Sequence, residues 1–588
     1  MQKNFEINGN AFVFNSEEDV DISFEQISSD NGLSLYKVAF KWNERVFPKK
    51  ITLDYKILCT DVYTIWDSYR VFATDQTVTF RKTQTKSRLA SGMPLKQILS
   101  KRGINRHLLA VSDVRTPMTI SMGSQARPGF DHMMISIDFF TMLTGPFDSY
   151  EAIIRIDERA IKFDEAVKDA RKWYNEFGYT PAFSPKHAKL PMYSTWYSLW
   201  QTMTADELIR ECSEAVKYGM KSVIVDDGWQ TDDATVVYGY TGDWKPVKSK
   251  FPDFKGTIKQ LHDIGMQVIL WFSVPYVGYF SKNYQRFKGM YINDDGKSPA
   301  NCSRLDPRFK EVREFLVETY VNALKDWDLD GFKLDFIDNF ETNGIVDERM
   351  DIVTMEEATE QLLKDVYTAL TAIKPDIMIE FRQGYYGPVI SAFGNMIRVG
   401  DCPLGSEKNK DNGIDLRLVS SSCAVHSDMI VWAKEDSDES VASQLWGTVF
   451  TVPQISVIFD NITNSQKKIL KAYLDFWNEH RETLTSENIS ATAMANGYSE
   501  VMSINNGEKI TLCASTTIFS MEEGVSEGYA INISGTDSIV LKLEKGAYVY
   551  EIFGLYGEKI GETQTATDVL IDVDVPYGGM VKVKKFNR

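Results

Sequence analysis

The sequence predicts a multidomain α/β protein: a central (β/α)8 TIM barrel over residues 181–485, between an N-terminal β-sandwich (1–180) and a C-terminal antiparallel β-sandwich (486–588). Three observations carry this prediction. Short apolar runs alternate with amphipathic stretches of helix length through the middle of the chain. Period-two patterning occupies both ends. A chain of 588 residues also exceeds what one hydrophobic core organises.

Taken in order, the N-terminal third holds alternating runs such as "SLYKVAFKW" and "KKITLDYKI", separated by turn residues, as antiparallel strands require. "FDEAVKDARKWYNEF" (163–177) has apolar residues at helical spacing, and "YTPAFSPKHAKLP" (179–191), with three prolines, reads as a boundary. Eight strand candidates follow: "MYSTWYS" (192–198), "SVIVDD" (222–227), "QVILWF" (267–272), "GFKLDF" (331–336), "DIMIEF" (376–381), "NMIRVG" (395–400), "DMIVW" (428–432) and "ISVIFD" (455–460). Between them lie "TADELIRECSEAVKYG", "FKGTIKQLHDIG", "PRFKEVREFLVETYVNALKDW" and "MEEATEQLLKDVYTALTAI", each with the apolar spacing of a helix packed on a sheet. Alternation returns after residue 490 in "SEVMSINN", "KITLCAST", "GYAINISG" and "AYVYEIFG".

Charge narrows the function. With 65 basic and 82 acidic residues, a formal net charge of −17, the chain lacks the cationic surplus that nucleic acid or an anionic membrane surface demands. Six histidines show neither HxH nor HExxH spacing and six cysteines form no CxxC pair, so neither metal nor other cofactor is expected. No GxSxG elbow, P-loop or GxGxxG follows a strand. The N-terminus has no basic start leading into an apolar run and no membrane-spanning stretch follows, so a cytoplasmic location is expected.

Barrel enzymes carry their reactive groups at the C-terminal ends of the strands. Those ends present Trp196, Asp226 with Asp227, Trp271, Lys333 with Asp335, Glu380 with Arg382, and Arg398 with Asp401, while the loop after the second strand adds Asp243 and Trp244. An acidic, aromatic mouth suits glycoside cleavage, in which one carboxylate attacks or activates water and another carboxyl protonates the leaving oxygen. By pattern alone the pair is any two of Asp226, Asp227, Asp335, Glu380 and Asp401.

The ordered motifs "KSVIVDDGWQ", "GDWKPVKSKFPDFKGTIKQLHDIGMQVILWF", "GFKLDF", "IRVGDCP", "AVHSD" and "LWGTVF…LKAYLDFWNEHRETL" resemble those of glycoside hydrolase family 36, the melibiase or α-galactosidase family, over about half of the chain. The resemblance implies a retaining α-galactosidase acting on terminal α-galactosides of an oligosaccharide or glycoside. It makes Asp335 the nucleophile and Asp401 the acid/base. It makes Asp226 and Asp227 acceptors for the sugar's 4- and 6-hydroxyls, Trp244 an aromatic wall and Lys333 a contact on the hydroxyl edge. Trp196, Trp271 and Arg398 fall at family-like mouth positions. Homo-oligomerisation is compatible with it. These roles predict an Asp335 kept ionised with help from Lys333, an Asp401 with a raised pKa, and carboxyls about 5–5.5 Å apart rather than roughly 6.5–9.5 Å.

Three departures surround the substrate. After Trp271 the family's Glu-Pro-Glu is replaced by Ser273, Val274 and Pro275; "EFRQGYYGP" sets Arg382 near a position usually held by cysteine; and "CPLGSEKNKDNGIDLR" reads as an extended loop after Asp401. They keep open a retaining α-glycosidase of other specificity, such as an α-N-acetylgalactosaminidase or an enzyme for a charged sugar, or a galactosyl-transferring enzyme on the same scaffold. A carbohydrate-binding protein on an inactive barrel would require loss of one of the two carboxylates.

Overall fold

Between Met192 and Ile455 the chain builds one parallel sheet of eight short strands: β1 (Met192–Ser194), β2 (Ser222–Val225), β3 (Gln267–Ser273), β4 (Gly331–Asp335), β5 (Met378–Arg382), β6 (Met396–Arg398), β7 (Ala424–His426) and β8 (Gln454–Ile455). From β1 to β7 each strand pairs with the next, β8 pairs with β1, and a His426–Val452 bridge brings β7 against the approach to β8, so the sheet all but closes into a barrel. The computed structural model describes residues 1–68, 83–124, 131–292, 294–341, 344–420, 423–494, 497–515, 518–544, 546–566 and 569–586.

The strands read as unbroken apolar runs because both faces are covered. Val223, Val225, Val268, Leu270, Phe332 and Leu334 pack outward under the helices, whereas Ile224, Ile269, Met378 and Met396 fill a small core of their own inside the barrel. Helices Ala205–Ala215, Phe254–Asp263, Lys310–Trp327 and Met355–Ile373 fall on the four segments whose spacing predicts them. The first opens with a capping box in which Thr204 and Glu207 satisfy each other's backbone donors.

Four expected elements need correction. The first strand stops at Ser194 and Trp196–Leu199 turns into a short helix, and the eighth strand is Gln454–Ile455, with Phe459–Asn461 a single helical turn. The seventh strand is Ala424–His426, four residues before "DMIVW", which contributes only an isolated bridge from Ile430 to Ile455. Three residues are too few to show a period. The segment read as a long loop after Asp401 is instead largely a helix, Ser406–Val419. Its polar residues are buried with partners rather than solvated: Asp415 accepts from Trp66 Nε1 at 2.8 Å, and Arg417 donates to the carbonyls of Leu484 at 2.8 Å and Ser486 at 2.5 Å. Such a helix has no apolar stripe to detect.

On the N-terminal side, two six-stranded sheets face each other, and alternate residues such as Phe12, Phe14, Phe24, Tyr36, Val38 and Phe40 meet between them. After β8, a seven-stranded and a three-stranded sheet enclose Phe519, Leu541, Val581 and Val583. The N-terminal sheets also buttress the barrel mouth. Ser68 Oγ hydrogen-bonds Tyr386 Oη at 2.5 Å, Gly92 N donates to Gly384 O at 3.1 Å, and Arg88 Nη1 donates to Phe340 O at 2.7 Å. Among the described residues no helix is long and apolar enough to cross a membrane.

Candidate active site

Side chains two apart on a strand share a face, so Lys333 and Asp335 leave β4 on the same side, into the barrel. Register brings others beside them. Lys333 lies opposite Trp271 of β3 and Glu380 of β5, Asp335 opposite Ser273, and Arg382 opposite Arg398 of β6. Charged and aromatic groups from four adjacent strands thereby converge at one end of the barrel.

Asp335 is buried, and four donors hold its carboxylate. Oδ1 accepts from Arg382 Nε at 2.6 Å, from Phe336 N at 2.9 Å and from Tyr385 Oη at 3.1 Å, whose one proton is shared with Leu334 O at 3.0 Å; Oδ2 accepts from Trp271 Nε1 at 3.0 Å. Burial opposes ionisation, but the Arg382 guanidinium, then Lys333, and the hydrogen bonds from Arg382 and Trp271 hold the carboxyl well below the ordinary carboxylate range. The expected help from Lys333 is present but secondary to that of Arg382. Arg382 is therefore not the partner of Glu380: it spans Asp335 and the rings of Phe336 and Tyr385, 5.2 and 5.7 Å from its guanidinium carbon.

Lys333 points its ammonium at Asp226, 2.6 Å from Oδ2, and this pair overcomes the effect of burial to raise the lysine pKa. Asp227 takes Gln201 Nε2 on Oδ2 at 2.6 Å and Gln230 Nε2 on Oδ1 at 2.5 Å. Burial pushes its carboxyl up to about 7 even against those donors. Each carboxylate oxygen has a second lone pair, so both aspartates keep acceptor capacity for hydroxyls.

Asp401 differs in kind. Its side chain is 55% exposed at the mouth, and among the described residues Arg398 Nη2 bonds it, 2.9 Å from Oδ1. Partial desolvation by the surrounding mouth works against ionisation, but Arg398, with Lys333 and Arg382, more than offsets it, so the group sits below its ordinary value. The raised pKa expected of it is thus corrected for the unliganded protein: the cause is the guanidinium beside it. The Asp335 charge acts in the other direction on the same carboxyl, so the two acids share one electrostatic field. Arg398 is itself fixed by buried Asp428, which also accepts from Cys402 N at 2.6 Å and Tyr197 Oη at 3.1 Å.

Glu380 is not a mouth residue. It is fully buried inside the barrel, accepts from Gln454 Nε2 at 2.5 Å, and is pushed up to about 7 by burial, with Lys333 and Arg398 pulling the other way. Trp244 is likewise buried, its ring 6.0 Å from that of Trp271 and 4.8 Å from that of Phe272, so it backs Trp271 instead of offering an open face. Trp196 is half-buried, its ring 4.8 Å from that of Trp200. The half-open aromatic rim is Tyr238, Tyr276 and Phe336, with ring centroids 4.8–5.4 Å apart. Sequence reading missed these, together with Tyr385, Gln201, Gln230 and Asp428. The motifs "DDGWQ" and "AVHSD" contained Gln230 and Asp428, but no spacing rule connects them to their partners. No three His, Cys, Asp or Glu side chains cluster as a metal site among the described residues.

Comparison with known proteins gives this arrangement a context. Residues 179–387 match the melibiase family model. The α-galactosidase Mel36A of Lactobacillus acidophilus is 27% identical over 222 residues, covering 34% of this chain and 30% of its own. A galactosaminidase of Flavonifractor plautii, described as an A type blood alpha-D-galactosamine galactosaminidase, is 25% identical over 193 residues, or 30% of this chain and 17% of its own. The matched stretches therefore span less than a third of either relative. In three dimensions, the family 36 α-galactosidase AgaA of Geobacillus stearothermophilus superimposes with a TM-score of 0.65 at 13% identity, covering all of this chain and 87% of that one, which is a likeness of fold.

Proposed function

We propose, from the premise that this chain belongs to the melibiase family (glycoside hydrolase family 36), that it is a retaining α-galactosidase cleaving terminal α-galactosides by double displacement. The observation that carries the reading is the contrast at one mouth between a buried, anchored anion, Asp335, and an exposed carboxyl, Asp401, lying in the same field.

In this reading Asp335 Oδ2, with the single donor Trp271, attacks the anomeric carbon as Asp401 gives its proton to the departing oxygen. Water then attacks the anomeric carbon, Asp401 recovers the proton, and the ester to Asp335 breaks. Lys333, Asp226 and Asp227 bind the hydroxyl edge, and Tyr238, Tyr276 and Phe336 supply the aromatic surface. Substrate entry removes water from around Asp401, which favours its neutral form and works against Arg398. The substrate is an oligosaccharide or glycoside, and the protein works in the cytoplasm without a cofactor.

A second reading, a retaining α-glycosidase for another sugar, draws on Arg382, whose guanidinium stands beside the nucleophile and within the pocket that receives the sugar. A panel of aryl α-glycosides tests both. Preferential release from the galactoside, abolished in Asp335→Ala and restored by azide, supports the first reading. Clear preference for a 2-acetamido or acidic sugar supports the second.

A further inference from the structure

Three donors converge on Asp335 Oδ1 and one on Oδ2, and the shortest of the four bonds is the charged one, Arg382 Nε at 2.6 Å. Arg382 is not free to leave. Its guanidinium lies over the rings of both Phe336 and Tyr385, and Nη1 donates to Gln383 O at 3.3 Å. The turn after it is braced from outside the barrel, by Gln383 Nε2 on Ser68 O at 3.4 Å and Gly92 N on Gly384 O at 3.1 Å. A cation has thus been built onto the very oxygen pair that forms and breaks the sugar bond.

A charge-assisted hydrogen bond is stronger to a carboxylate than to a carboxylic ester. Arg382 therefore stabilises Asp335 before attack and after release, and stabilises the ester between those events less. In the first step this opposes bond formation, because the electron pair that Oδ2 donates to the anomeric carbon is partly withdrawn. In the second step it assists. Water's oxygen bonds to the anomeric carbon, the C1–Oδ2 bond breaks, its electron pair returns to Asp335, and water's proton passes to Asp401.

We propose that Arg382 is a further catalytic residue, which makes Asp335 a good leaving group and so keeps the covalent intermediate short-lived, leaving attack on the substrate as the slow step. This rests on the double-displacement reading. A sugar carrying an ammonium group beside the anomeric carbon would meet the same cation and bind poorly, whereas one carrying hydroxyl or carbonyl oxygen there would not.

The test compares the wild type with Arg382→Gln and Arg382→Lys on a series of aryl glycosides of the preferred sugar, ranging from nitrophenols to phenol. The wild type should show kcat that follows leaving-group acidity and no burst of phenol. Arg382→Gln should slow breakdown of the ester by about tenfold to a hundredfold, the scale of one charged hydrogen bond. A burst should appear, kcat should level out across the series, and azide should raise it. Arg382→Lys should regain part of the lost rate, with thermal midpoints confirming that both variants are folded. A wild-type burst overturns the proposal, as does an Arg382→Gln enzyme without a burst whose kcat still follows the leaving group. If the wild type releases phenol from no aryl glycoside, the glycosidase reading falls as well, and that outcome is distinguishable from the others.

Discussion

The β4–β5 side of the mouth and the β6–β7 side each hold one of the two carboxylates proposed to do the chemistry, and treat them differently. Asp335 is buried and gripped by a guanidinium, an indole, a phenol and a backbone N–H, whereas Asp401 is exposed and, among the described residues, hydrogen-bonded by Arg398. Rigid donors around a buried anion fix its position and charge, which suits a group that attacks. An exposed carboxyl with one partner can exchange protons with solvent and with a leaving group, which suits a carrier. Each acid meets its own arginine directly, Arg382 for Asp335 and Arg398 for Asp401, and Arg398 is in turn anchored by Asp428.

The most severe way to break this comparison is to delete the anchored acid. Asp335→Ala should lower kcat on the order of 10⁴-fold or more, the scale seen when a nucleophile is removed. Turnover should return with azide as a glycosyl azide. If azide restores nothing, Asp335 is not the attacking group.

Asp401→Asn comes next. On a sugar leaving group kcat/KM should fall by roughly 10²–10⁴-fold, the usual worth of a positioned acid. On a dinitrophenyl glycoside, which needs no proton, the loss at the first step should nearly vanish. Equal losses on both substrates would remove Asp401 from the acid role.

The pH profile sharpens the same contrast. Asp335 must be ionised, and its carboxyl is held far below the ordinary range, so acidification should produce no loss from that group before the protein unfolds. Asp401 must be protonated, and its carboxyl is also held low, so the protonated fraction shrinks as pH rises through that low value. For the free enzyme, kcat/KM on a poor leaving group should therefore climb toward acid pH. A profile that instead peaks in mildly alkaline solution would assign the proton to another group.

The smallest effect expected is that of Tyr385→Phe, which removes one neutral donor from Asp335 Oδ1 and leaves Arg382, Phe336 N and Trp271 in place. Breakdown of the ester should slow by about three- to tenfold, the scale of one such bond, while kcat on poor leaving groups, limited by attack, should not fall. A much larger loss would show that Tyr385 does more than hold the carboxylate.

How much of this was legible in the sequence follows from the physics of each element. Long buried strands and amphipathic helices announce themselves by periodicity, so β3 (Gln267–Ser273) and the helix Lys310–Trp327 stand where their spacing puts them. The three-residue β7 and the polar helix Ser406–Val419 do not, because the first is shorter than any period and the second buries Asn409, Asp415 and Arg417 through partners supplied by distant segments. At the site, strand ends located Asp335, Lys333 and Asp401. Pairing did not follow from position. Lys333 bonds Asp226 across 107 residues, and Arg382 bonds Asp335 across 47, because barrel closure, not sequence proximity, chooses the neighbours. Glu380 misled because a carboxylate at a strand end looks the same in sequence whether it faces the mouth or the barrel interior.

The whole account depends on two inversions at one anomeric carbon. Proton NMR of the first sugar released from the preferred aryl α-glycoside, followed before mutarotation, reads that directly. The account predicts the α-anomer first, with the β-anomer growing in later. Appearance of the β-anomer first would mean a single displacement by water, and would contradict Asp335 as a nucleophile.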